Sequence, residues 1–267
     1  MLIDFHTHVY PEKIAEKGVQ YIGDFYNLPM REKGTLVHLK SVAKASGTTH
    51  VVLLGVAVKP EVVESINLFT ASMLDESTYG FGTIHPDYPD KKEEVLHCLD
   101  MGLVGIKIHP DMQAFHIDDP RMFEVYDLLS EQGAPIMIHM GDDRYEYSRP
   151  MRLAKVMDMF PNLKVVGAHF GGYRRWEESF QYLCGRRNVW FDTSSSLPFM
   201  DIDLAKQIIR AHGIDRILFG TDYPITDQTE ELKWIELLDF TEEEKEAVLY
   251  KNAAELLGIK IESVVGV

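Results

Sequence analysis

Ile3-Asp4-Phe5-His6-Thr7-His8 reads as an apolar strand that ends in two histidines of the same parity. Residues i and i+2 of a strand share a face, so His6 and His8 project together from its C-terminal end. Four later stretches repeat the design: Gly105-Ile106-Lys107-Ile108-His109, Pro135-Ile136-Met137-Ile138-His139, Val165-Val166-Gly167-Ala168-His169 and Ile217-Leu218-Phe219-Gly220-Thr221-Asp222. Each is an apolar run of strand length that finishes in a metal-ligating or acid–base side chain. Polar termini spread over the whole chain make a poor core. They make a good metal site if all the strand ends meet at one mouth.

Outward from these stretches, eight strand candidates alternate with helix-period segments: Leu2–His6, Val51–Val56, Gly80–Ile84, Leu103–His109, Pro135–His139, Lys164–His169, Val189–Thr193 and Arg216–Thr221. The helical segments between them include Glu61–Leu74, Lys91–Met101, Pro120–Gln132, Arg149–Phe160, Tyr173–Cys184 and Ile202–His212. Strands apolar on both faces suit a parallel sheet covered by helices. An open sheet would carry its ligand at a switch point, usually beside a Gly-rich phosphate loop, and the chain has none. The polar ends of strands one, four, five, six and eight converge only if the sheet closes. The reading is α/β, a (β/α)8 TIM barrel, one domain over residues 1–267 with an insertion after the first strand.

Local signals set several boundaries. Asp119-Pro120 reads as an N-cap followed by Pro at the first helical position. Gly102, Gly133 and Gly213 stand just past helices, where a left-handed residue closes the last turn. The insertion Tyr10–Leu36 reads as a helix and loop over the mouth, a lid or pocket wall. The tail from Thr241 to Ile259 reads as two closing helices.

Composition narrows the function classes. With 27 basic residues against 42 acidic, the net charge of −15 argues against a nucleic-acid surface or a polybasic membrane patch. The two cysteines, Cys98 and Cys184, lie outside any CxxC motif and fit a reducing compartment. No run approaches the ~18 apolar residues of a membrane span. The expectation is a cytoplasmic enzyme of a small molecule, with a homo-oligomer as a weaker one.

His6 and His8 are expected to bind one divalent ion, with zinc–nitrogen distances of about 2.0–2.1 Å. His139 closes an apolar strand and needs a partner there, for which a metal suffices. Asp222 can ligate the ion and accept a proton from bound water. His169 either ligates a second ion or acts as an acid–base beside the first. Lys107 and His109 share parity and face inward. Lys107 is open to two readings, a carbamate bridging two ions or a charge that orients ligands or substrate. Arg144, Arg174 and Arg175 follow the fifth and sixth strands and could reach a substrate carboxylate, with Tyr173, Trp176 and Tyr223 as pocket walls.

These stretches resemble the amidohydrolase superfamily, in its amidohydrolase-related ("amidohydrolase 2") branch with aminocarboxymuconate-semialdehyde decarboxylase-like enzymes. The resemblance rests on Ile3–His8, Gly105–Pro110, His139, His169-Phe170-Gly171-Gly172 and Phe219–Asp222. It implies that His6, His8, His139 and Asp222 hold one divalent ion, zinc or else manganese, and that His169 is the activating histidine. The leading expectation is a hydrolase that opens a lactone, ester or amide of a small acid through metal-activated water. Non-oxidative decarboxylation of an aromatic or unsaturated acid is the alternative, since the same ligands serve both. A metal-stabilised binding protein would need neither Asp222 nor His169.

Overall fold

A computed structural model describes residues 1–261 of the chain. Eight parallel strands stand in sequence order: β1 Ile3–Thr7, β2 His50–Leu54, β3 Thr78–Thr83, β4 Ile106–Ile108, β5 Ile136–Ile138, β6 Val165–Gly167, β7 Val189–Asp192 and β8 Ile217–Leu218. Backbone bonds close the ring between first and last strands. Phe5 N donates to Phe219 O at 2.8 Å, Asp222 N to His6 O at 2.8 Å and His8 N to Tyr223 O at 2.7 Å. The architecture is the expected (β/α)8 barrel.

The helices that cover it are α1 Ala15–Tyr26, α2 Leu36–Ser46, α3 Val63–Ala71, α4 Lys91–Asp100, α5 Pro110–Gln113, α6 Phe123–Gln132, α7 Pro150–Met159, α8 Trp176–Tyr182, α9 Ile202–His212, α10 Gln228–Ile235, α11 Glu242–Glu246 and α12 Asn252–Leu257. Side-chain caps fix several starts. Thr35 accepts from His38 N at α2, Asp201 from Asp203 N at α9, and Asp227 from Glu230 N at α10. Asp119 caps a 3-10 turn, Pro120–Met122, that leads into α6. Gly133 is left-handed as expected, whereas Gly213 closes α9 at φ 110° and ψ 127°, outside the left-handed helical region.

Two expectations are corrected. The tail is one continuous helical run, because a π-helical stretch, Ala247–Lys251, joins α11 directly to α12. Helix α8 is shorter than Tyr173–Cys184, since positive φ at Arg174 and a turn from Arg175 N to Gly172 O hold the chain in a loop before it.

Parity sorts the core into two layers. Ile136, Ile138 and Val165 join the helices' Leu129 and Leu153 in the larger cluster between sheet and helices. Met137 and Val166, on the opposite face, pack with Val52, Leu54, Phe81 and Leu218 inside the barrel. Lys107 is in register with Met137, and Met137 with Val166, so the lysine shares that interior face. The strands' C-terminal ends then point one way, and β1, β4, β5, β6 and β8 deliver their polar residues to the same mouth.

Candidate active site

One close-set group of potential ligands joins β1 to the end of β8. His6 Nε2 lies 3.1 Å from His8 Nε2 and 3.2 Å from Asp222 Oδ1, and His8 Nε2 lies 3.4 Å from the same oxygen. A tetrahedral ion with bonds of about 2.0–2.1 Å holds its ligands about 3.3–3.4 Å apart, so the triangle has the right edge.

The far side of each imidazole fixes its tautomer. His8 Nδ1 is 2.8 Å from Leu54 O, a carbonyl that only accepts, so this nitrogen carries the proton. His6 Nδ1 is 2.9 Å from the Asp192 carboxylate and likewise donates. Both Nε2 atoms therefore aim bare lone pairs at each other and at the Asp222 carboxylate. Three acceptors facing one another repel unless a cation stands between them, and carboxylate–histidine pairing of this kind orients metal ligands. Burial lowers the pKa of His6 to about 4, against Asp192 and Asp222, which favours the neutral ligand form. Burial would raise the Asp222 carboxyl, yet the facing histidines hold it well below the usual carboxylate range.

The backbone helps to aim these groups. Asp222 and His169 take positive φ, 65° and 60°, where the chain turns sharply out of the strand. Ser195 donates to Asp222 Oδ2 at 2.7 Å and steadies the oxygen that faces away from the triangle. Asp192 has one oxygen on His6, while the other accepts from the amides of His169 and Ser194 at 3.0 Å each. Burial works to raise its carboxyl, but His6, the nearby His169 ring and the Ser194 hydroxyl bring it down to about 2.

His139 stands apart from the triangle. It forms a second cluster with His109 and Asp111, whose ligand atoms lie within 4.8 Å of one another. Its ring stacks on His109 with centroids 3.8 Å apart. The structure thus brings three of the four expected ligands together and leaves the fourth beside them.

A line of hydrogen bonds runs through this second cluster, and its ends decide its direction. Met112 N donates to His109 Nδ1 at 3.3 Å, so His109 carries its proton on Nε2, 2.8 Å from Tyr26 Oη. Tyr26 Oη can then donate to His139 Nε2 at 3.4 Å. His139 Nδ1 is 3.0 Å from His169 Nε2, and His169 Nδ1 donates to Ser194 O at 3.0 Å. Burial lowers the pKa of both His109 and His139 well below the usual histidine range. Burial raises Asp111 to about 7, and its Oδ1 has no partner among the described residues.

A cavity of about 450 Å³ opens in front of the triangle. His6, His8, Asp222, Lys107, His109 and His139 line its head. Lys107 is 1 % exposed, and among the described residues no hydrogen bond or ion pair engages its ammonium group. Burial lowers its pKa to about 8, opposed by Asp192 and Asp222. His169, Tyr173, Ser195 and Asp222 line a smaller adjoining cleft.

The expected arginines are occupied elsewhere. Arg144 grips Asp142 through Nε at 2.9 Å and Nη2 at 2.6 Å, and donates to Phe25 O at 2.5 Å. Arg174 lies over the rings of Tyr173 and Phe199. Arg175 bonds the Tyr145 carbonyl and Glu146. None of the three lines the cavity. Trp176 instead bonds the His169 carbonyl at 3.0 Å, and Tyr223 pairs with His38.

Sequence reasoning missed Asp192, Asp111 and Tyr26. Asp192 ends an apolar strand just as Asp222 does, and that signal was available. Tyr26 lies in the insertion that the sequence placed over the mouth, but nothing in the sequence pairs its hydroxyl with His109 and His139.

Comparison with known proteins bears on the reaction. The chain is 26% identical over 259 residues to a 2-amino-3-carboxymuconate-6-semialdehyde decarboxylase of Dictyostelium discoideum, covering 78% of this chain and 70% of that one. It is 27% identical over 190 residues to a decarboxylase of Emericella nidulans, covering 58% and 53%. A dihydroxybenzoic acid decarboxylase of Polaromonas, solved with manganese and the inhibitor 2-nitroresorcinol, superimposes with a TM-score of 0.74 at 16% identity, over 99% of each chain. The expected hydrolase is corrected by these relatives, whose names are those of decarboxylases. No helix among the described residues is long and apolar enough to cross a membrane. The family model described as amidohydrolase matches residues 3–259, and the chain belongs to that family of enzymes.

Proposed function

We propose that the protein is a metal-dependent, non-oxidative decarboxylase of an aromatic or unsaturated carboxylic acid. The observation that carries the metal dependence is the convergence of two bare Nε2 lone pairs and a carboxylate at the head of the cavity, with an unengaged lysine beside them. The decarboxylase relatives support the reaction type.

In this reading His6, His8 and Asp222 hold one divalent ion, zinc or else manganese, with His139 completing the set from the neighbouring cluster. When bound, the ion supplies a Lewis acid that takes up substrate oxygens and stabilises negative charge. Lys107 offsets the carboxylate charge and orients it. The carbon–carboxylate bond breaks, CO2 leaves, and the carbon keeps the electron pair and takes a proton. His169 delivers that proton in its doubly protonated form and regains it from solvent. The apolar walls keep water from the carbon.

The test is a panel of aromatic and unsaturated carboxylic acids offered to zinc- or manganese-loaded protein, with CO2 and product measured together. CO2 release matched by loss of the acid is the expected result. A new carboxylate without CO2 would overturn the reading.

A further inference from the structure

The cavity has two unlike ends. At its head stand the ligand triangle and Lys107. Beyond them the lining is mainly apolar, with Ile22 of α1, Val56 and Val58 after β2, and Val62, Ile66 and Phe69 on and before α3, and its polar groups are the hydroxyls of Tyr10, Tyr21, Ser65 and Thr70. Lys107 is the single lysine or arginine among the lining residues, and Asp222 the single carboxylate. The arginines that could have joined it are held by Asp142, Phe25, Tyr173 and Glu146. With the first carboxylate held at the triangle and Lys107, a second one in the apolar end would be buried unpaired, at high cost. A cavity of about 450 Å³ is of the size that encloses a drug-sized ligand. A bare benzoate would leave most of the apolar end filled with poorly bonded water.

We infer that the substrate is a monocarboxylic acid with a large apolar substituent, its carboxylate at the triangle and Lys107 and its substituent between α1 and α3. The inference deepens the decarboxylase reading and rests on it for the fate of the carboxylate; the apolar subsite rests on the cavity alone. Helix α1 comes from the insertion after β1, so the insertion supplies the wall that selects the substituent. The reaction that supplies such an acid must build or attach an apolar chain on an aromatic or unsaturated acid, and the product here is the same chain-bearing skeleton with hydrogen in place of the carboxylate.

The test uses zinc-loaded full-length protein and two matched pairs: resorcinol with 5-pentylresorcinol, and 2,4-dihydroxybenzoate with its 6-pentyl derivative. Calorimetry of the phenols reads the subsite without turnover, and CO2 release from the acids reads the reaction. The pentyl phenol should bind at least about thirty-fold tighter, since each buried methylene favours binding. Ile22→Trp should reduce the ratio of the two affinities at least tenfold, on the order of 1.4 kcal/mol. Lys107→Met should weaken the pentyl acid more than the pentyl phenol. Equal affinity for the two phenols overturns the inference, whether or not CO2 appears. A pentyl preference without CO2 from either acid upholds the inference and overturns the decarboxylase reading.

Discussion

Asp192 reaches the ligand triangle through His6, while its other oxygen holds the amides of His169 and Ser194. It accepts the Nδ1 proton at 2.9 Å and so leaves Nε2 free to face His8 and Asp222. Asp192→Asn should weaken metal affinity by about 10–100-fold, the usual cost of losing such a partner. Chelator competition measures it, with far-UV circular dichroism to show that the fold persists. Unchanged affinity would mean that the carboxylate does not set the tautomer. The same residue shows where sequence reading stops. His6, His8 and Asp222 were legible because each ends an apolar strand in a residue type that binds metal. Asp192 ends one too, but its task depends on a neighbour 186 positions away, which only barrel closure supplies. Arg144 shows the converse: its place after the fifth strand put it near the mouth, and local pairing with Asp142 took it out of the cavity.

Elements carry a different kind of information. Strand identity and order follow from apolar period, so all eight were legible. Their ends were not, because β8 is formally two residues long and continues only as isolated bonds to β1. Helix α9 offers a test at this scale. Its last residue, His212, is buried, stacks on Phe191 of β7 at 4.0 Å and bonds Val189 O at 2.8 Å through Nε2. Burial brings its pKa down to about 4, against the Val189 bond, which acts the other way. The native state therefore prefers the neutral ring, while the unfolded chain gains a proton below its ordinary value near 6.5. Stability from this residue is fully present above that value and is lost as pH falls from about 6.5 to about 4, in total on the order of 3 kcal/mol. Denaturant melts of the metal-free protein at pH 7 and pH 4.5 should show a smaller drop for His212→Gln than for the parent. Equal drops would place the acid sensitivity elsewhere.

For the whole molecule, the seam between β1 and β8 is where fold and site become one problem. Every other neighbouring pair of strands is joined by a ladder, whereas this pair closes on three backbone bonds and the single bridge Thr7–Tyr223. His6 and His8 lie on one side of the seam and Asp222 on the other, so an ion held by all three would fasten the first strand to the last. A ligand that binds only the folded state stabilises it by mass action, by about 2.7 kcal/mol at a hundredfold excess over Kd. For a chain of this size that corresponds to a rise in Tm of roughly 5–10 °C. Removing the metal with a chelator should lower Tm by that amount. It should also speed hydrogen exchange at the amides of Phe5, His8 and Asp222, which close the seam, more than at β4–β6, which keep their ladders. A Tm insensitive to chelation and to added zinc or manganese would refute the triangle as a metal site. A shift in Tm with exchange raised evenly around the barrel would instead place the ion away from the seam.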